Sequence, residues 1–522
     1  MAALPLVFTT IILSTIFLFL LNRRRTRRRK PLPPGPKGWP LLGFLPELGP
    51  QPHKTFHRLS KTHGPLLHLR LGVVDVVVPS SAAMAEKLLR NDMKFINRPR
   101  NSGAEHIAYN HRDIGFLPYG PGWRMQRKLC AQHLFSSKAL DEFQDTRRRE
   151  FTGLVRRLAA QRAENLESPV DVSREIAACV GNSLSLLLIG RRLFDGGPEV
   201  EELRSMVMEL MALTGSFCIV DFLPGLRWLD PQGLIARMKK LNRKFDKLLD
   251  RIIAEHRATL MAGGAEYDRR PGAMDLLSVI LQLKEDADGE GGNLSDTDIK
   301  ASLLTMYAAG SDSNSILAEW ALSELIRSPV LLARAQAELD SVVGRSRLVS
   351  ELDLPHLPLL QAIIKETLRL HPPAPISLPR VAVEDCEIDG YLIPKGTTLL
   401  LNIWAIGRDP DVWLDEPLAF RPDRFLPGGR QEGVEPKGGY FGLLPFGAGR
   451  RMCVGMNLGL RMLCFMTAVM AHSFDWYLPN GETPENLNME EGANGLSLPR
   501  SVPLTARPVP RLSPAAYLQE SI

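Results

Sequence analysis

The longest uninterrupted apolar segment opens the chain: from Ala2 to Leu21 no residue carries a charge. At ~1.5 Å per residue, twenty helical residues span about 30 Å, the depth of a bilayer's hydrocarbon core. Pro31-Leu32-Pro33-Pro34-Gly35-Pro36 cannot be helical and predicts a stiff polyproline II hinge. The alternating Leu67–Val78 region predicts a strand or hairpin. From there to about residue 375 the periodicity is helical, with loops at residues 262–272 and 284–293. Short β-type runs return between Arg380 and Leu401, and Pro and Gly are frequent up to Arg450. There is no internal repeat and no linker long enough to divide the body. The pattern predicts one mainly α domain with small β-sheets.

One predicted helix is unusually long. Ser295-Asp296-Thr297-Asp298 forms a capping-box start and Pro329 a stop, leaving about 32 residues or ~48 Å between them. At its centre, Ala308-Ala309-Gly310-Ser311-Asp312-Ser313-Asn314-Ser315 interrupts an apolar segment with weak helix formers. Such a break in a local rule either marks function or is a kink facing a packed neighbour.

Charge sharpens the picture. The formal net charge is +6, and Arg23–Lys30 alone contributes seven positive charges, so residues 31–522 sum to 6 − 7 = −1. A nucleic-acid-binding face loses its support. With the arginines after the apolar stretch and none before it, the order opposes a cleaved signal peptide. The positive-inside rule then predicts a single-span anchor with the body in the cytosol. The six cysteines show no CxxC pair and no Cys/His cluster for zinc or iron–sulfur.

The candidate chemistry lies in Phe446-Gly447-Ala448-Gly449-Arg450-Arg451-Met452-Cys453-Val454-Gly455, a glycine-permitted turn presenting one cysteine beside two arginines, just before a helical stretch. Neighbouring cations and a helix N-terminus stabilise a thiolate. A solitary thiolate suits axial ligation of haem iron; a buried inert cysteine is the alternative.

The spacing F-x-x-G-x-R-x-C-x-G, filled by Phe446, Gly449, Arg451, Cys453 and Gly455, resembles the haem-ligand loop of cytochrome P-450 monooxygenases. Lys365-Glu366-Thr367-Leu368-Arg369 is similar to that family's E-x-x-R helix, and Phe420-Arg421-Pro422-Asp423-Arg424-Phe425 to its later arginine motif. Trp123-x-x-x-Arg127 is similar to its W-x-x-x-R helix. The resemblance implies the P-450 fold and a haem b whose iron Cys453 holds. It also implies propionate contacts from Trp123, Arg127, Arg380 and Arg451, and a buried network of Glu366, Arg369 and Arg424. Ala309-Gly310-Ser311-Asp312-Ser313 resembles the oxygen-activation motif A/G-G-x-D/E-T. Gly310 would open a kink over the iron, and Asp312 with Ser313 would relay protons to bound O2. Serine stands where the family has threonine, keeping the hydroxyl without the β-branch that fixes its rotamer.

Below family level, Asn97–Asn110, Tyr119–Arg124, Leu370-His371-Pro372, Ser377-Leu378-Pro379-Arg380 and Leu487–Glu491 resemble the flavonoid 3'-hydroxylases. That likeness implies 3'-hydroxylation of a flavonoid B-ring. Hydroxylation at the 5' carbon of a flavone or O-methylated flavone, and a degenerate haem binder, are the alternatives. Ser102–Phe116, the helix face at Thr305–Ala309 and the Pro373–Leu378 turn would line the substrate pocket. Electrons would come from NADPH through a separate cytochrome P-450 reductase, docked near Arg124, Lys128 and Arg450. The expected organisation is a transmembrane anchor at 1–22, a basic stop-transfer run and Pro-rich hinge at 23–36, and the catalytic domain at 37–522. The expected location is the endoplasmic reticulum membrane, single-pass, with the domain facing the cytosol.

Overall fold

The computed structural model describes residues 30–518, apart from 91, 165–167, 194–197, 262–273, 286–293, 480 and 493–494. The apolar Ala2–Leu21 stretch, Arg23–Arg29 and nearly all of both expected loops lie outside the described residues. The proline-rich run that follows is pinned against β structure: Pro31 O accepts from Leu392 N–H and Pro34 O from His68 N–H. A Cβ on Gly35 would stand 1.8 Å from His68 O, so only glycine lets the run lie so close.

The alternating region becomes a hairpin of β1 (Leu66–Leu71) and β2 (Val74–Pro79) around a turn at Gly72, whose φ is 57°. Val76, Val77 and Val78 are all fully buried, because apolar clusters cover both faces of β2. Two short strands, β3 (Arg380–Val381) and β4 (Thr398–Leu399), complete a four-stranded sheet in the order β1-β2-β4-β3, with β2 and β4 parallel. Arg380 reaches the site from β3.

Helices form the main core. Those that position the site are α1 (Pro121–His133), α2 (Val172–Ile189), α3 (Asp296–Arg327), α4 (Pro358–Leu370) and α5 (Met456–Ser473). The predicted capping box starts α3: Ser295 and Asp298 exchange side-chain and backbone hydrogen bonds. Its end comes at Arg327, and Pro329 is the first residue of the next helix rather than a plain stop. α3 is unbroken through Ala308–Ser315, so the expected interruption is not there. The weak helix formers answer their own carbonyls: Ser313 Oγ donates to Ala309 O at 2.7 Å, Asn314 Nδ2 to Gly310 O at 2.8 Å and Ser315 Oγ to Ser311 O at 2.7 Å. Gly310 also serves packing. A Cβ there would lie 3.0 Å from Leu184 Cδ1 on α2, so its absence lets α2 and α3 approach.

α2 is apolar and long enough to cross a membrane, as is the Glu201–Phe222 stretch. Two-thirds of α2 is buried inside the fold, as befits a core helix.

On α4, Glu366 and Arg369 form a two-pronged ion pair, Nε–Oε2 at 2.6 Å and Nη2–Oε1 at 2.7 Å, with both side chains fully buried. Arg369 also donates to Gly407 O, Pro417 O and Ala419 O. Glu366 accepts from Arg424 Nε at 3.1 Å and from Arg421 N–H at 2.7 Å. The indole of Trp413 lies beneath both guanidiniums, 5.0 and 5.9 Å from their centres. Every charge in the group is answered, which is the condition for holding such a group in a core.

Candidate active site

The cysteine loop is shaped by two left-handed glycines, Gly447 with φ 71° and Gly449 with φ 70°. A Cβ on Gly449 would come within 2.6 Å of Asp92 Oδ2, and that carboxylate accepts from Arg450 N–H. The turn closes when Cys453 N–H donates to Phe446 O at 2.9 Å. Phe446 is half-buried against the core. Gly455 caps α5 with φ −86°, and a Cβ there would meet only the Phe135 ring at an ordinary 3.5 Å. Its contribution is its amide, which hydrogen-bonds the Cys453 sulfur.

Cys453 is exposed as a residue, yet desolvation pushes its thiol pKa up, against the Gly455 amide and Arg127. The arginines next to Cys453 in sequence are not the cations beside its sulfur. Arg450 pairs with Asp92 at 3.3 Å, and Arg451 donates through Nε to Ile96 O and through Nη2 to Leu117 O. The cation is Arg127, from α1, which also donates to Met452 O at 2.9 Å. Trp123 lies between the two guanidiniums, its ring 5.4 Å from that of Arg127 and 4.6 Å from that of Arg451.

Arg380 donates through Nη2 to Ala448 O at 2.8 Å. Burial pulls the pKa of Arg380 and of Arg451 down to about 10, and each guanidinium has one buried nitrogen, Nη1, with no partner. Arg98 completes this group. It donates to Gly115 O, Leu378 O and Pro379 O, and burial, then repulsion from Arg380 and Arg451, hold its pKa well below the usual arginine value. Sequence reasoning placed Arg98 inside a family-like string without a role; its signal, an arginine between Asn97 and Pro99, has no chemistry until the fold brings Arg380 and Arg451 to it.

On α3, burial raises the Asp312 carboxyl to about 6, opposed by a hydrogen bond from Ser497. Ser497 lines a cavity of about 210 Å3 whose walls come from Asn101–Gly103, Phe116, Thr214–Phe222 and Pro375–Pro379. Two of the three expected pocket segments therefore contribute. The Thr305–Ala309 face is not among this cavity's walls: the Thr305 hydroxyl donates to Asp113 Oδ2 at 2.7 Å, while Ala309 is exposed on the same helix. The Thr214–Phe222 wall was missed because its residues carry no motif.

Residues 33–503 match the model of the family described as Cytochrome P-450. The chain belongs to that family. It is a P-450 monooxygenase with haem b as cofactor, acting with O2 and a redox partner. A flavonoid 3'-monooxygenase of Crocosmia x crocosmiiflora is 53% identical over 98% of both chains, and one of Oryza sativa subsp. japonica is 52% identical over 98% of this chain and 99% of its own. A flavonoid 3',5'-hydroxylase of Crocosmia x crocosmiiflora is 48% identical over 98% and 97%. Among solved structures, a zebra fish cytochrome P-450 with abiraterone has a TM-score of 0.69 at 28% identity, covering 88% of this chain and all of that one. The residues of the site fit a P-450 haem. Arg380 Nη1 and Arg451 Nη1 are orphaned buried donors suited to a carboxylate, and Arg98 adds a third buried cation to the cluster.

Proposed function

We propose that this chain hydroxylates the 3' carbon of a flavonoid B-ring, with Cys453 as the axial ligand of the haem iron. The observation that carries the reading is the high identity to flavonoid 3'-monooxygenases over nearly the whole chain, joined to one exposed cysteine with Arg127 beside its sulfur and to orphaned buried donors on Arg380 and Arg451. Arg98, Arg380 and Arg451 would hold the two propionates, and Trp123 would keep Arg127 and Arg451 in place. Haem bound through a thiolate supplies the activation of O2 and its insertion into a C–H bond. Asp312 Oδ moves protons toward the site and Ser313 Oγ, released from Ala309 O, passes them on. A carboxyl near pKa 6 can both give and regain a proton close to neutrality. The neutral, partly apolar cavity takes the planar ring system.

Electrons come from NADPH through cytochrome P-450 reductase. Its acidic face meets Arg124 and Lys128, which are exposed on α1, while Arg450 is tethered to Asp92. The chain is anchored in the endoplasmic reticulum membrane by residues 1–22, with the basic run and hinge at 23–36 and the catalytic domain at 37–522 in the cytosol. Exposed Trp39, Leu41, Val73, Trp228 and Leu229 support contact of the body with lipid.

Membranes carrying the full chain and a reductase, incubated with NADPH and naringenin, apigenin, kaempferol or chrysoeriol, decide the reading. The expected product of naringenin is eriodictyol. Only 5'-hydroxylated chrysoeriol would assign the 5' alternative, and no product with an intact thiolate carbon-monoxide spectrum would assign a degenerate haem binder.

A further inference from the structure

The chain from Ser102 to Phe116 borders the cavity in a conformation it does not favour by itself. Tyr109, Asn110 and His111 have φ of 49°, 58° and 63°, three consecutive non-glycine residues in the left-handed region. Such backbone persists where its surroundings over-determine it. Before the turn the hold is local: Asn110 N–H donates to Glu105 O and His111 N–H to Ala104 O, each at 2.9 Å. After the turn the segment is tied to α3 at two places. Arg112 meets Asp298 at the exposed surface, a pair of little strength. Asp113 makes the other tie and is buried, 2% exposed. Its Oδ2 accepts from Thr305 Oγ1 at 2.7 Å and its Oδ1 from Phe116 N–H at 2.8 Å.

Phe116 packs with Ala104, Ala108 and Leu378, and both Phe116 and Leu378 line the cavity. Arg98 ties the same wall together, bonding Gly115 O on one side and Leu378 O on the other. Gly115 sits at the junction of the two sides: a Cβ there would meet Asp113 Oδ2 at 3.4 Å and Leu378 Cδ1 at 3.8 Å, both ordinary contacts.

We propose that Asp113 is a positioning residue for substrate selection, holding the Phe116 wall of the cavity against α3 by bridging the Thr305 hydroxyl and the Phe116 amide. The proposal rests on the reading of the chain as a flavonoid-binding P-450. It also accounts for the orientation of Thr305, whose hydroxyl serves the wall rather than the ligand. Burial disfavours the ionised carboxyl, while the Thr305 and Phe116 bonds, with Arg98 and Arg451 nearby, favour it; the balance raises it to about 6. Protonation replaces charge-assisted bonds with weaker neutral ones, so the wall loosens as pH falls through that value.

The test uses the full chain in membranes with reductase, comparing wild type with Asp113→Ala, Asp113→Asn, Thr305→Val and the Asp113→Ala/Thr305→Val double variant. Dissociation constants for naringenin and for the bulky azole clotrimazole are read from haem spectral shifts between pH 5.5 and 8. KM and kcat are measured in parallel. Loss of a bond to a buried charge predicts that Asp113→Ala and Thr305→Val each weaken binding and raise KM about tenfold, with kcat within about twofold. The double variant is expected to be no worse than Asp113→Ala, because both remove one bridge. Wild-type affinity falls below pH 6, a slope lost in Asp113→Asn and kept in Asp312→Asn.

Unchanged affinity in Thr305→Val, additive single effects, or a slope that survives in Asp113→Asn overturns the proposal. Should Asp113→Ala fail to bind haem, Thr305→Val, which keeps the side-chain shape, decides alone. If wild type takes clotrimazole but not naringenin, the flavonoid reading fails while the Asp113 comparison is still decided on the azole.

Discussion

Glu366 and Arg369 carry a large local electrostatic stake in the fold. Both side chains are fully buried, and the carboxylate is shared by the Arg369 and Arg424 guanidiniums and the Arg421 amide. Removing the carboxylate leaves an uncompensated charge in the core. Glu366→Ala is therefore expected to cost about 3–5 kcal/mol, read as lost haem incorporation and a lower midpoint in urea. Arg424→Ala, which leaves the Glu366–Arg369 pair intact, costs less. Equal losses for the two variants would remove Glu366 from the centre of the network. The E-x-x-R spacing made the pair legible, because residues three apart share a helix face. Its burial came from the family resemblance and not from the spacing, since Gly407, Pro417 and Ala419 come from distant parts of the chain.

At the scale of elements, α3 joins packing to chemistry. Of the five side chains from Ser311 to Ser315, all but Asp312 bond back to their own helix. This leaves the Asp312 carboxyl as the group that turns outward, toward Ser497. With the folded carboxyl raised to about 6, the protonated share grows as pH falls through 6. In wild type, product formed per NADPH is then expected to decline above that pH, and Asp312→Asn flattens the profile. Ser313→Ala is expected to divert reductant to peroxide at every pH; unchanged coupling removes Ser313 from the relay. The capping box at Ser295 was readable because it is written within four residues. The continuity of α3 was not: propensity argued for a break, and back-bonding with the α2 contact at Gly310 overrode it.

For the whole molecule, the distribution of charge separates two surfaces. The body is near neutral, and Arg98, Arg380 and Arg451 form a buried cationic group within it. Arg124 and Lys128 remain exposed on α1, the helix that also supplies Arg127 beside Cys453. Electron transfer from the reductase is expected to slow as ionic strength rises from 20 to 300 mM, and Arg124→Glu with Lys128→Glu to slow it further at low salt. Stopped-flow reduction checks this, and rates independent of salt would move the docking face elsewhere.

Short-range chemistry accounts for what can be read along the chain. The cysteine loop with its left-handed glycines, the helix start at Ser295, the E-x-x-R pair and the apolar and basic runs before the hinge each follow from neighbours in the chain. The fold sets which cation stands beside Cys453, brings Arg98 to Arg380 and Arg451, and completes the cavity with Thr214–Phe222 and Ser497. It also turned Thr305 from an expected pocket residue into the anchor of Asp113. The physical reason is common to all of these. Burial and charge pairing are set by groups hundreds of residues apart, and no local pattern encodes the distance between them.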